Sequence, residues 1–304
     1  MEKAGLVLFS QTTVKFEFIR EYRHCYPVEN ICKILSVSKS GYYYWNDRKT
    51  FKRALHNLAL IEQIKIIHYR NKKRCGSPRI ARALKVSSFH ASEKLVRKLM
   101  KQASLQSVFK RKFKTTADSS HSYPVAENKL EWEFTVSGEN KTWVSDITYI
   151  RTLKRWLYLT TVIDVFGRKV IGWAPSSVIT ARNTSVSIFR MALVNRPIIN
   201  NSPLIFHSDR GIQYACGEFV REIDNYKSVT RSRSGKGNCW DNAVAESFFK
   251  TLKPELIYQN HFRNKHEAES SISEYIEKFY NTDRKHGHLD NLNILEYRKL
   301  LSQN

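Results

Sequence analysis

The chain has 304 residues, 41% of them apolar, so it is long enough for two or three domains and can bury at least one sizeable core. Its 51 lysines and arginines outnumber its 28 acids, and the net charge of +23 favours a polyanionic partner, with nucleic acid ahead of an anionic membrane surface. No stretch approaches the roughly 18 apolar residues of a membrane-spanning helix, and the N-terminus lacks the pattern of a signal peptide. We therefore expect a cytoplasmic protein that binds double-stranded DNA and has no membrane association.

The cysteines indicate the same compartment. There are 5 of them, with no CxxC pair and no spacing to the 10 histidines that would make a zinc site. An odd, scattered set is typical of free thiols in a reducing cytosol. The set consists of Cys25, Cys32, Cys75, Cys216 and Cys239.

Residues 1–50 carry the pattern of a small helical module. Apolar residues at helical spacing predict two short helices, the second beginning near Pro27, and a short break over Ser36–Ser38 follows. The arrangement resembles a helix-turn-helix, in which Lys39 and Tyr42 would reach toward a DNA major groove. The alternative is a helical packing module whose aromatic side chains form its own core.

Residues 51–116 are the most one-sided part of the chain in charge. Between residues 51 and 114 there are 18 lysines and arginines against two acids, Glu62 and Glu93. Mixed charge for solubility does not explain this excess, so we predict a basic helical module that contacts DNA phosphates. Its helices are expected over residues 58–69, from about Pro78, and over residues 92–100.

Two groups of basic residues in this module are candidates for DNA contact. Arg79 and Arg82 fall on one side of the helix that begins near Pro78. Further on, aromatic and basic residues alternate over residues 109–116, which suits a segment lying along a strand of DNA. That run contributes Lys110, Arg111 and Lys112.

A change in composition marks the boundary to the next region. Basic residues become sparse over residues 117–140, where serine, proline, glycine and acids collect, and this predicts a linker. Residues 141–260 then alternate strand-like and helix-like segments, and residues 261–304 form a C-terminal helix and tail. The predicted order is three closely linked strands, a helix, a strand, a helix, a strand and a helix. That is the element order of the ribonuclease-H-like α/β fold, a mixed five-stranded sheet with flanking helices.

Three acids fall where this fold would bring them together. Asp146 lies inside the first strand, Asp209 follows the fourth strand, and Glu246 lies on the last helix. The first and fourth strands are neighbours in such a sheet, so the two aspartates are expected side by side with the glutamate helix across them. Clustered carboxylates repel each other and need hard cations such as Mg2+ or Mn2+ to stay ionised. Two such ions can promote phosphodiester cleavage and strand transfer.

The helix that carries Glu246 also allows a simpler explanation. Glu246, Lys250 and Lys253 share one face, and a glutamate four residues before a lysine is a common surface ion pair. Asp241 and Asn242 are residues that typically cap the start of a helix. An isolated glutamate in this setting would usually be structural, and only the two aspartates upstream favour a catalytic role.

Four stretches of the chain, in this order, closely resemble the integrase core of bacterial insertion-sequence transposases of the family numbered three. They are WVSDITYI, YLTTVIDVFGRKVIGW, HSDRGIQY and KGNCWDNAVAESFFKTLKPEL. The resemblance is strong over about residues 140–300 and looser before them. It implies a catalytic triad at Asp146, Asp209 and Glu246, two Mg2+ ions per site with Mn2+ as a substitute, and DNA contacts through Lys253 near the cleaved bond and through Arg284 in the C-terminal tail.

The resemblance also implies an activity and partners. The front modules would bind the terminal inverted repeats of an element, and the core would cleave one strand and join the freed 3′-hydroxyl to a phosphodiester. This joining would first link the two ends of the element and later insert the element into a target. Two DNA ends require at least a dimer, and a protein from an upstream reading frame is expected as a fusion or an associated partner. The rival functions are a ribonuclease-H-like nuclease that does not join DNA and a non-catalytic DNA-binding repressor.

Other polar residues lie near the acids in the sequence. Arg210 could hold a phosphate or pair with an acid, Trp240 could touch a base or belong to the core, and Lys250 could contact DNA. Asp164 could be taken for a metal ligand but is expected to hold the turn near Gly167 and Arg168. His207 lies two residues before Asp209 and is expected to hydrogen-bond a carboxylate rather than to bind a metal.

Overall fold

A computed structural model describes residues 11–47, 51–108, 128, 130, 136–198, 202–235 and 242–303. Its first three helices form a small module of their own. They are α1 (Thr12–Tyr22), α2 (Val28–Ile34) and α3 (Lys39–Asp47). The apolar positions at helical spacing close around one small core, whose buried members are Phe16, Ile19, Ile31, Cys32, Leu35 and Tyr42.

A second module contains the three helices predicted for the basic region. They are α4 (Phe51–Arg70), α5 (Ser77–Val86) and α6 (Glu93–Gln102). Pro78 lies in the first turn of α5, where its missing N–H costs nothing. The Ser92 hydroxyl accepts a hydrogen bond from the Leu95 N–H and so caps α6. The prediction of a three-helix module is confirmed.

The catalytic region is built on one mixed sheet. Its strands are β1 (Thr142–Arg151), β2 (Trp156–Asp164), β3 (Val170–Ser176), β4 (Leu204–Ser208) and β5 (Val229–Arg233). The order across the sheet is β3-β2-β1-β4-β5. The first three strands form an antiparallel meander, and β4 and β5 run parallel to β1. This is the five-stranded sheet of the ribonuclease-H-like fold, as predicted.

Helices cover both faces of the sheet. On one face β1 and β2 pack against α10 and α11, and on the other face β4 packs against α7 and α9. The short helix α8 follows β4, and the chain ends with α12. The bounds are α7 (Ser187–Asn195), α8 (Ile212–Ala215), α9 (Gly217–Asp224), α10 (Ala243–Glu255), α11 (Lys265–Ser273) and α12 (Ile294–Leu301).

The irregular turns complete the description of the chain. A π-helical turn precedes α7 (Arg182–Val186) and another continues α11 (Glu274–Tyr280). Short 3-10 turns occupy Ile257–Gln259 and Gly287–Leu289. Among the residues described, no helix has the length and apolar character needed to cross a bilayer. The four cysteines within those residues are free thiols, as expected.

Candidate active site

The register between two parallel strands places two of the predicted acids together. β1 pairs with β4 from Thr142 opposite Ile205 to Ser145 opposite Ser208. The next residue is Asp146 on β1 and Asp209 at the end of β4. Adjacent strands lie about 4.8 Å apart, so the two aspartates emerge side by side at the edge where β4 stops.

Backbone hydrogen bonds fix the direction of both carboxylates. Asp146 Oδ1 accepts from the Ile147 N–H at 2.7 Å, and Asp209 Oδ1 accepts from the Gly211 N–H at 2.9 Å. The second bond needs a close approach of the backbone. A Cβ at position 211 would lie 3.0 Å from Asp209 Oδ1 and 3.1 Å from Gln213 Oε1. Glycine is therefore the residue that lets the Asp209 loop fold back on its own carboxylate.

Behind the aspartates lies a buried polar layer that the sequence did not reveal. The hydroxyls of Ser145 and Tyr214 are 2.7 Å apart, and the Asn242 amide donates to the Ser145 carbonyl at 3.0 Å. Burial, followed by the charge of Asp209, raises the pKa of Tyr214 well above its usual value. The only signal in the sequence was that Tyr214 ends the HSDRGIQY stretch. Asn242 occupies the N-cap position of α10, as predicted, but its side chain makes no capping hydrogen bond and instead ties α10 to β1.

The helix α10 brings the third acid to this edge. Val244, Phe248 and Leu252 recur at four-residue steps and are buried against β1 and β2. Glu246 lies on another face and is partly buried. Its Oε2 atom is 2.7 Å from Lys250 Nζ, so the simple i,i+4 ion pair does form.

Asp146 feels the charge of both other acids. Burial, and then the charge of Asp209, raises the pKa of Asp146 well above its usual value. Glu246 raises it further, whereas the Ile147 N–H and Lys253 oppose the rise. Burial lowers the pKa of Lys253, and the charge of Asp146 opposes that shift. Asp146 therefore lies within electrostatic reach of two acids and one lysine.

The donor set suits a hard cation, although the side chains are not closed around one. The ligand candidates are carboxylate oxygens, which Mg2+ and Mn2+ prefer. Within the described part of the chain, no group of three histidine, cysteine or acidic side chains is arranged to hold an ion. The Glu246 carboxylate is paired with Lys250 instead. A cation would relieve the repulsion that raises the pKa of Asp146.

Two residues predicted to contact DNA belong to a buried ion cluster. The Glu255 carboxylate, at the end of α10, is fully buried and accepts from Arg284 Nη2 at 2.9 Å and from the Tyr275 hydroxyl at 2.7 Å. Arg79 from the second module reaches the same carboxylate at 3.5 Å. The predicted DNA contact of Arg284 is therefore wrong, because its side chain is buried and its charge is paired with Glu255. Arg79 keeps 22% of its side-chain surface exposed, so its contact with DNA stays a prediction.

The same cluster joins the second module to the catalytic region. Arg74 Nε donates to the Glu255 carbonyl at 3.0 Å, and Lys72 lies 3.3 Å from Glu274. Arg82, which is exposed, donates to the Asp290 carbonyl. The basic module thus uses part of its charge to bind the rest of the chain.

The remaining candidates fall into three groups. Tyr42 is fully buried in the front module, so its predicted reach toward DNA is wrong and the core alternative holds for it. Lys39 is exposed and lies 3.2 Å from Glu29, and Arg210 Nε donates to the Ser234 carbonyl at 2.9 Å. Predictions that lie outside the described residues concern Lys110, Arg111, Lys112 and Trp240.

Two polar residues near the site make structural contacts, as predicted for Asp164. Asp164 is buried, and its two oxygens accept from the Asn140 and Phe166 N–H groups at 2.9 and 3.0 Å. His207 is buried on β4 with its ring nitrogens 2.9 Å from the Ser232 hydroxyl and 3.2 Å from the Ser234 hydroxyl. These contacts tie β4 to β5.

Comparison with protein families agrees with this architecture. The family described as Integrase core domain matches residues 136–239, and a second Integrase core domain family matches residues 227–293. The family described as HTH-like domain matches residues 56–113, which lie in the second module. A helix-turn-helix-like function for residues 1–50 stays a prediction.

Comparison with individual proteins extends the match to most of the chain. The Insertion element IS600 uncharacterized 31 kDa protein of Shigella sonnei is 36% identical over 90% of this chain and 99% of its own length. Transposase InsF for insertion sequence IS3A of Escherichia coli (strain K12) is 35% identical over 90% of this chain and 94% of its own length. The HTLV-2 integrase catalytic core domain, solved in complex with magnesium, is 16% identical, with a TM-score of 0.38 over 52% of this chain and 95% of that one. With this identity over nearly its whole length, the chain belongs to the InsF family of insertion-sequence transposases and carries an integrase core domain preceded by an HTH-like domain.

Proposed function

We propose that this transposase cleaves one DNA strand at each end of an insertion sequence and joins the freed 3′-hydroxyl to another phosphodiester. The observation that supports this most directly is the pairing of β1 with β4, which puts Asp146 beside Asp209 under the helix that carries Glu246. Three clustered acids would repel a polyanion, so they do not help a surface that only binds DNA. Their value lies in binding cations at the bond to be broken.

The residues of the site divide the work as follows. Asp146 and Asp209 would hold the cations, and Glu246 would join them once its carboxylate is released from Lys250. When bound, a pair of Mg2+ ions, or Mn2+ in their place, supplies Lewis-acid activation of the attacking and leaving oxygens. Lys253 and Lys250 lie on the same helix next to the acids and hold the DNA backbone there by charge.

The other modules would deliver the DNA. The HTH-like second module and the front module bind the terminal inverted repeats, with Lys39 and Arg82 on their exposed surfaces and Arg210 near the acids. Two ends must be held at once, so the working form on DNA is a dimer or a larger assembly. An upstream-frame protein, fused or associated, completes the end-recognition machinery in the bacterial cytoplasm.

A metal-dependent assay on labelled DNA tests the activity. The substrate carries the ends that flank the coding frame, and the wild type is compared with Asp146→Asn, Asp209→Asn and Glu246→Gln in Mg2+ and in Mn2+. Each substitution should abolish cleavage and strand transfer and leave DNA affinity largely intact. Cleavage without joined products would indicate a nuclease, and binding with neither product would indicate a repressor.

A further inference from the structure

The hairpin formed by β1 and β2 extends well past the catalytic edge of the sheet. β1 stops pairing with β4 at Ser145 but stays paired with β2 as far as Arg151, which lies opposite Trp156. From Asp146 to Arg151 the strand runs roughly 17 Å at about 3.4 Å per residue. That length matches about five base-pair steps of DNA, which rise about 3.4 Å each.

One face of this hairpin is aromatic and exposed. Residues that pair across strands share a face, so Tyr149 lies beside Tyr158 and Arg151 beside Trp156. The two tyrosine rings are in an edge-to-face contact, with centroids 5.3 Å apart. Tyr149 and Trp156 keep 57% and 53% of their surface exposed, and Leu153 at the tip keeps 73%. The opposite face of the hairpin is buried in the core.

All the charged residues of this hairpin between Asp146 and Asp164 are basic. Residues 147–163 contain no acid, and the exposed cations Arg151, Lys154 and Arg155 make no ion pair with any of the residues described. The tip is nevertheless well held. The Thr152 hydroxyl donates to the Arg155 carbonyl at 2.6 Å, and the Leu153 N–H donates to the Phe262 carbonyl at 2.9 Å. A fixed tip that carries these cations is prepared for an anionic ligand.

We propose that the exposed face of the β1–β2 hairpin is a DNA site, at which Trp156 stacks on an unpaired base about five nucleotides from the cleavage position while the tip cations bind neighbouring phosphates. Aromatic side chains beside cations are the usual platform for single-stranded nucleic acid. A second copy of the chain would bring like charges together at this face, which disfavours a protein partner. The proposal rests on the function proposed above, since it assumes DNA at the acids.

Binding to two DNA forms tests the stacking part. In EDTA, the full chain is titrated with a fully paired end and with the same end carrying unpaired nucleotides at its flank. Trp156→Ala should bind the second form about 5- to 150-fold more weakly than the wild type, the range expected when one base no longer stacks. Trp156→Phe should retain most of the affinity because it keeps a stacking ring. Val194→Ala, at an exposed apolar position on α7, is the matched control and should change nothing.

The salt dependence of binding tests the charged part. Replacing Arg151, Lys154 and Arg155 together by serine should lower the slope of log affinity against log salt by up to about 2.7, or about 0.9 for each phosphate that the tip no longer neutralises. The control replaces three exposed lysines elsewhere in the catalytic region, Lys227, Lys265 and Lys278, and should lower the slope less.

Several results would overturn the site. The first is a Trp156→Ala chain that melts at the wild-type temperature and binds DNA with unchanged affinity, or that binds both DNA forms more weakly by the same factor. The second is an equal salt slope for the two triple variants. The third is a hairpin variant that changes from dimer to monomer without any change in its affinity for DNA. None of these bears on the proposed activity, which is read separately as metal-dependent cleavage by the wild type. Conversely, a wild-type chain that shows the expected Trp156-dependent binding but does not cleave DNA would support the hairpin site and contradict the proposed activity.

Discussion

Glu246 and Lys250 form an ion pair across one turn of α10, with Nζ and Oε2 2.7 Å apart. This pair competes with any cation for the Glu246 carboxylate. Lys250→Met should therefore tighten Mn2+ binding in the absence of DNA. The expected gain is about twofold, because an exposed i,i+4 pair contributes only about 0.3–0.5 kcal/mol.

Isothermal titration of Mn2+ into the DNA-free protein measures this effect. Lys65→Met is the control, because it breaks a similar surface pair with Glu62 far from the acids. Weaker Mn2+ binding by Lys250→Met than by the wild type would show that the lysine supports the metal site rather than blocks it.

Gly211 controls the position of the Asp209 carboxylate. In Gly211→Ala the new Cβ would meet Asp209 Oδ1 at 3.0 Å and Gln213 Oε1 at 3.1 Å, so the carboxylate must shift by a few tenths of an ångström. Single-turnover cleavage should fall on the order of 10-fold, less than the about 100-fold that a misplacement of 1 Å can cost. Gly217→Ala places its Cβ in open space and should cleave normally. Equal rates for the two variants would contradict the role of this close approach.

Glu255 should dominate the stability of the contact between the second module and the catalytic region. Glu255→Gln leaves Arg284 buried without its full counter-charge and weakens the link to Arg79. Removing one partner of a buried ion cluster typically costs about 3–5 kcal/mol in the free energy of unfolding. Urea unfolding followed by tryptophan fluorescence measures the decrease.

The control for this prediction is an exposed pair of the same kind. Glu267→Gln removes the surface pair with Arg263 and should leave the free energy of unfolding nearly unchanged, because solvent screens an exposed pair. A comparable small change in Glu255→Gln would mean that the cluster contributes little net stability.

His286 should make the protein sensitive to mild acid. Burial, with the charge of Arg284 next, lowers its pKa from 6.5 to about 3. The unfolded chain therefore takes up a proton as the pH falls through 6.5, whereas the folded protein does so only near pH 3. Proton uptake favours the unfolded state between these values, so the free energy of unfolding falls as the pH drops.

His286→Gln removes this titration. Urea unfolding between pH 6.5 and 4.5 should show a flatter pH dependence for the variant than for the wild type. Some slope remains because burial also lowers the pKa of His68. An unchanged slope would show that the folded protein protonates His286 in this range.

The sequence predicted those parts of the site that depend on patterns between neighbouring residues along the chain. β-branched residues and short alternations mark β1 to β5, and four-residue steps mark α10, so the order of elements follows from neighbours along the chain. That order brings Asp146, Asp209 and Glu246 to one edge once the parallel pairing of β1 with β4 is assumed. Ser145 and Tyr214 lie behind these acids and carry no such pattern. Their hydroxyls bond to each other, and the two residues are far apart in the sequence.

The excess of basic residues predicted a polyanionic partner, and the order of strands and helices with three acids at their ends predicted the fold and the candidate catalytic residues. Only the tertiary structure decided which basic and aromatic side chains are free to meet DNA. Arg284 and Tyr42 have the residue types of a DNA surface and are buried, whereas Arg151 and Trp156 are exposed on a projecting hairpin. Burial depends on which distant segments pack against a side chain, and a solvated cation and a buried, paired one look the same in sequence.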